Sequence, residues 1–107
     1  EEKVFVKFSR PIRAMCVKVK VASWNTKISL RVALATRELF GYTIDNPDEA
    51  SRTYSGVWNI DPLGVGHHRS MLDGPQAWSA LHNNASQFMT IKLSEAKWVA
   101  GVVVQSR

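Results

Sequence analysis

A single cysteine, Cys16, is all that the 107 residues contain, so no intrachain disulfide can staple the fold. Apolar runs are short, and none approaches the roughly 18 to 20 residues that a membrane-spanning helix requires. Enzyme motifs are missing: no glycine-rich phosphate loop, no nucleophile elbow, no Cys-x-x-Cys and no His-Glu-x-x-His can be found, so catalysis is not expected. Acidic side chains are outnumbered, 9 against 14 basic ones, and the net charge of +5 favours anionic partners. The basic residues are scattered, however, and no alternation of basic and aromatic residues builds a platform for nucleic acid, which is not expected as a partner. Disorder is excluded by a composition of 45% hydrophobic and 21% charged residues. What remains is one small domain over residues 1–107. A chain this short buries only about 60–65% of the surface its unfolded form exposes, so the core must be thin. No secretory leader is expected, because Glu1, Glu2 and Lys3 open the chain and the apolar stretch behind them is brief.

The local signal that is present has a period of two. Val4, Val6 and Phe8 alternate with polar neighbours and predict a strand over residues 3–9, which Pro11 interrupts. Met15, Val17, Val19 and Val21 then share one face, with Cys16, Lys18 and Lys20 on the other. After the polar connection Trp24–Lys27, Ile28, Leu30, Val32 and Leu34 alternate with Ser29, Arg31, Ala33 and Ala35. These last two segments read as a hairpin whose outer face, carrying Lys18, Lys20 and Arg31, is solvated. Residues 36–75 show no sustained period and read as a long irregular segment. It holds Tyr42, Tyr54, Trp58, Ile60, Leu63 and Val65, which points to an ordered, ligand-facing loop system rather than a linker. Strand character returns over 88–93 and 98–105, the latter apolar enough for burial on both faces, with a turn at Ser94–Lys97 between them. The class this predicts is all-β, arranged as a sandwich.

Among the polar residues, His67 and His68 are adjacent, so on an extended chain they point to opposite sides and cannot readily share a metal. His82 lies beside Asn83 and Asn84 in a polar loop, either solvated or in contact with a ligand. Trp58, flanked by Gly56, Val57, Asn59 and Ile60, is the aromatic residue best placed for exposure. Trp24, Trp78 and Trp98 are expected in the core.

An ordered series of short motifs carries a resemblance. Leu72-Asp73-Gly74, Trp78-Ser79-Ala80, Asn83-Asn84, Gln87-Phe88, Ile91-Lys92-Leu93, Lys97, Val99, Gly101-Val102 and Gln105, with Tyr54-Ser55-Gly56 upstream, follow one another in residues 50–107. In order and spacing they resemble the opening half of a discoidin domain, also called the coagulation factor V/VIII type C domain. Residues 1–35, through Phe8, Pro11-Ile12, Ala14, Val17, Val19, Trp24-Asn25 and Ile28-Ser29-Leu30-Arg31-Val32, resemble that family's closing hairpin. The halves stand in reversed order, as in a circular permutant or at the junction of two tandem copies, and the family's central strands have no counterpart.

The resemblance implies a small or incomplete jelly-roll type β-sandwich, with Trp78 in the core beneath the loops. It also implies a non-catalytic adhesion module at the cell surface or outside the cell, holding a carbohydrate or an anionic phospholipid surface by loops at one end. On this chain those loops bring forward Trp58, Asn59, His67, His68, Arg69, His82 and Asn83. The family's Leu-Asp-Gly turn implies a calcium site that would use Asp73 and the Ser79 hydroxyl. Ala33 stands where a glutamate commonly does, so one hard oxygen ligand is missing, and a tight turn bonded by Asp73 itself is the competing reading. The alternative function is a protein–protein interaction or assembly domain, in which exposed strand edges dock a partner or a second copy.

Overall fold

The computed structural model describes residues 3–106. Its strands are β1 (Lys3–Lys20), β2 (Ser29–Glu38), β3 (Gly41–Asp45), β4 (Arg52–Tyr54), β5 (Trp78–Ser79) and β6 (Phe88–Ser106), with short 3-10 turns at Glu49–Ser51 and Trp58–Ile60. Strand accounts for 55% of the described residues and helix for 6%, so the class is all-β, as the alternation predicts. Every pairing is antiparallel in one six-stranded sheet of order β1-β6-β2-β3, to which β4 adds on β6 and β5 on β2.

The core forms because β6 serves two halves of that sheet. Its first part pairs with β4 through Arg52↔Ile91 and with the end of β1 through Val17↔Ile91, while its last part pairs with β2 through Val32↔Val104 and with the start of β1 through Val4↔Val104. Met89, Ile91 and Leu93 from one half meet Val32, Leu34 and Val99 from the other in a single cluster with Ile28 and Trp78. Each such side chain contributes roughly 1.5–3 kcal/mol on full burial. A second, smaller cluster of Ala33, Leu72 and Val103 covers the opposite face of β2 and β6.

This central place of β6 corrects the expected hairpin. The segments at 15–21 and 28–35 do not pair with each other, because β6 lies between them. The physical reason is visible in the sequence of β6: Val99, Ala100, Gly101, Val103 and Gln105 are all buried, and a strand buried on both faces takes an inner position. Pro11 does not end the first strand; the register of β1 shifts between Lys7 and Ile12, and that bulge absorbs a residue with no N–H to donate. Ser94–Lys97 is not a turn but continues β6. The segment 36–75 contains the end of β2, all of β3 and β4, and both 3-10 turns.

Three burial expectations also change. Arg31 is buried, 7% exposed, its guanidinium donating to the carbonyls of Gly74 and Ser106. Lys18 does stay outside, with its ammonium 4.0 Å from the centre of the Phe88 ring. Trp78 is fully buried as expected, whereas Trp24, in the connection between β1 and β2, and Trp98, mid-way along β6, are exposed at 39% and 48%.

A buried polar knot holds the long connection against β2. Arg52, 1% exposed, donates to the carbonyls of Pro47, Val32 and Ser70, to the Ser70 hydroxyl and to Asn46 Oδ1. Glu49 accepts the N–H groups of Ser70 and Met71, and Asn46 accepts that of Leu72. Residues 46–52 and 70–72 are thereby clamped together, which fixes both ends of the 54–69 loop.

Candidate functional site

The loop from Val57 to Arg69 is built around Asp61. Its carboxylate accepts the His67 N–H at 2.9 Å and the Asn59 amide at 3.0 Å, while its carbonyl lies 2.8 Å from His68 Nδ1. The His67 N–H is the leading reason that the Asp61 carboxyl is held below its ordinary range, with the Asn59 bond assisting. Gly66, at φ +54°, approaches so closely that a Cβ there would lie 2.3 Å from Asp61 Oδ2, so only glycine closes this loop.

Asn59 and Ile60 both adopt left-handed backbone, at φ 62° and 50°. Asparagine tolerates this region, but a β-branched isoleucine there stores about 1–3 kcal/mol of strain. The Ile60 side chain is 80% exposed and so recovers nothing from the core. Backbone strain of this kind clusters at ligand clamps and switch regions of proteins in general.

Beside this loop lies a cleft of about 220 Å³, lined by Lys27, Ile28, Trp58, Ser79, Ala80 and Asn83. Ile28 and Ala80 are buried, while Trp58 is 56% exposed. Backbone and side-chain bonds join the lining: Ala80 N–H donates to the Ile28 carbonyl at 3.2 Å, and Ile28 N–H donates to Asn83 Oδ1 at 2.9 Å. Ser79 Oγ donates to Ser29 Oγ at 3.2 Å, across the β2–β5 pair. The cleft thus offers an aromatic side chain, an amide and an ammonium over apolar ground, with the buried Ser79 bonded to Ser29 in its lining.

Of the residues singled out from sequence, Trp58, Ser79 and Asn83 come together here. Lys27, Ile28 and Ala80 were not foreseen as lining; the signal was available only in the strand pairing that brings β5 beside β2. His82 is exposed next to Asn83. Asn59, His67, His68 and Arg69 gather on the loop itself with internal partners, Arg69 Nε donating to the Gly66 carbonyl at 3.4 Å. His68 also packs edge-on to Tyr54, whose ring stacks on Trp78 at 5.2 Å, so a column of rings links the loop to the core. Burial pushes the Tyr54 hydroxyl up to about 12, although its bond to Ser70 Oγ at 2.7 Å pulls the other way. His67 Nδ1 is buried without a hydrogen-bond partner.

Asp73 and Ser79 have separate partners. Asp73, at φ 60°, pairs with Lys3 at 2.8 Å and accepts the Gln105 amide at 3.2 Å, while its own N–H donates to Gln105 Oε1. The Lys3 bond, then that of Gln105, holds its carboxyl below the ordinary range. Among the described residues no group of three or more His, Cys, Asp or Glu converges in a way that could hold a metal.

Set against models of known families, curated proteins and solved structures, the chain matches none.

Proposed function

We propose that this chain is a non-catalytic binding module of the discoidin-like sandwich type, and that the cleft between Trp58 and Asn83 holds a sugar of a cell-surface or extracellular glycan. The observation that carries this reading is the half-exposed Trp58 standing in one cleft with Asn83, Ser79 and Lys27 above Ile28 and Ala80. A sugar ring has apolar faces and a rim of hydroxyls, and an aromatic ring beside amide and ammonium groups complements both. The discoidin resemblance is supported by the way its two halves, reversed in order, share one sheet through the β1–β6 and β2–β6 ladders. Lys3 pairs with Gln105, so the ends of the described chain lie side by side, the arrangement that makes permutation physically easy.

Binding to a glycan array, repeated with Trp58→Ala, tests the proposal. The expected result is a saturable signal, competed by a free sugar and weakened about tenfold in the variant through lost aromatic contact. A signal that Trp58→Ala leaves intact, or no signal on any glycan, overturns it. A second reading, docking of the same loop on a phospholipid surface, is favoured by the exposure of Ile60 at 80%, Leu63 at 55% and Val65 at 51%. It predicts vesicle binding that Ile60→Asn with Leu63→Ser abolishes, asparagine being chosen because it accepts the left-handed backbone at residue 60.

A further inference from the structure

Beyond the patch that Leu72 covers, the outer face of the sheet is bare. The pairings Phe5↔Val103, Ala33↔Val103 and Ala35↔Ile44 set these side chains on the side of the sheet away from the main core. The Phe5 ring spreads over Gly101, where a Cβ would lie 2.7 Å from it, and meets the Tyr42 ring edge-on with centres 5.8 Å apart. Beside these rings opens a hollow of about 540 Å³ whose lining includes Ala35, Ile44, Leu72 and Val103. Phe5, Tyr42 and Ile44 are each about half exposed.

Tyr42 also lines a second hollow, of about 420 Å³, together with Lys7, Arg10 and Arg37. None of these three cations forms an ion pair among the described residues. The acids at hand are engaged: Glu38 accepts the Thr43 hydroxyl at 2.7 Å, and Asp73, at the other end of the face, pairs with Lys3 at 2.8 Å. One continuous surface is thus apolar at one end and cationic, without counter-charge, at the other.

We propose that this face docks an amphipathic helix of a partner protein, its apolar stripe over Phe5, Tyr42 and Ile44 and its carboxylates over Lys7, Arg10 and Arg37. Charge complementarity selects an acidic partner. Backbone chemistry selects a helix. The N–H and C=O groups of a sheet lie in its plane and engage neighbouring strands, so an extended peptide laid on the face leaves its own groups unpaired against apolar side chains, whereas a helix pairs them internally. The dimensions agree: β1 and β3 stand three strand spacings apart, about 14 Å, which seats a helix about 10 Å across. Lys3 to Lys7 spans about 13 Å, matched by two to three helical turns. A second copy of this chain complements the face poorly, since the acids it would bring, Asp73 and Glu38, already have partners. The lining shares no residue with the Trp58 cleft, and the inference does not rest on the glycan reading.

Fluorescence anisotropy tests it, with a labelled alanine-based peptide of about 16 residues that carries leucines at i, i+4 and i+7 and glutamates at i+8, i+11 and i+12 of one helical stripe. The chain is expected to bind it saturably, about tenfold or more tighter than the same peptide with lysine for glutamate. Ile44→Ser weakens binding about tenfold, and Arg10→Gln with Arg37→Gln about fivefold, the scale of exposed ion pairs. Two peptide changes leave the protein untouched: serine for the leucines, and a proline in the middle turn, each abolish binding. Equal affinity for the glutamate and lysine peptides, undiminished binding of the proline peptide, wild-type binding by a folded Ile44→Ser chain, or no binding of the glutamate peptide each overturns the proposal. So does a concentration-dependent dimer, or binding to phosphatidylserine vesicles, that Ile44→Ser abolishes, since either assigns the face to another occupant.

Discussion

Arg52→Met is the substitution with the most to reveal about how the binding loop is held. Methionine replaces the buried stem at similar length but deletes the guanidinium and its five hydrogen bonds. Each bond to a charged donor contributes about 1.5–3 kcal/mol in isolation, but the sum cannot be taken at face value. Burying the guanidinium is itself costly, and that desolvation pulls its ionisation below the ordinary arginine range. The acceptors decide the net effect. Ser70 keeps the Val32 N–H on its carbonyl, and Asn46 Oδ1 keeps the N–H of Leu72. The carbonyls of Val32 and Pro47 lose the donor that Arg52 supplies, at about 1–3 kcal/mol each. The expected loss is therefore about 3–4 kcal/mol, a large share of the roughly 5–16 kcal/mol typical of a domain this size. Thermal unfolding followed by circular dichroism should show Tm lower by roughly 15 °C or more. Arg52→Lys should restore less than half, because one ammonium cannot reach acceptors on three segments. A loss below about 1 kcal/mol for Arg52→Met would refute the reasoning, since desolvation would then cancel the bonds.

Three further outcomes are expected. Gly101→Ala should cost about 3 kcal/mol by urea unfolding, because its Cβ would lie 2.3 Å from the Val6 carbonyl oxygen and 2.7 Å from the Phe5 ring, where the β1–β6 ladder cannot yield. Because the folded state raises Tyr54 to about 12, the stability it confers is complete below its unfolded value of about 10 and lost as pH rises through the folded one. Alkaline unfolding should thus steepen above pH 10, and Tyr54→Phe should remove that part of the profile. Asp61 has the opposite sign: its depressed ionisation means that its contribution is present above about pH 3.9 and lost as pH falls through the lower folded value. Acid should therefore loosen the 57–69 loop, read as a shift in Trp58 emission, and Asp61→Asn should show the loosened loop at neutral pH.

Strand identity was legible wherever alternation was undisturbed, as at Val17, Val19, Val32, Leu34, Ile91 and Leu93, since one residue type on one face needs no distant information. The buried place of Trp78 was legible only through its likeness to a family pattern. Strand partners were not legible, because pairing depends on which strand has the most apolar surface to bury on both sides, a comparison across the whole chain. Arg31 read as a surface charge for the same reason; what buries it is a pair of carbonyls from residues 74 and 106, remote in sequence. The weak period of residues 36–75 hid β3 and β4, which are short and take their order from β2 and β6.

By itself, then, the sequence determined that this is a small all-β domain without a disulfide, since alternation, composition and a single cysteine are local properties. It also marked Trp58 and Asn83 as residues to watch. Only the tertiary structure decided that β6 runs through the middle, that Trp58, Ser79 and Asn83 share a cleft, and that Phe5, Tyr42 and Ile44 stand half-exposed beside Lys7, Arg10 and Arg37. Each of those outcomes turns on strand register, which places residues far apart in the chain side by side through hydrogen bonds that any sequence can make.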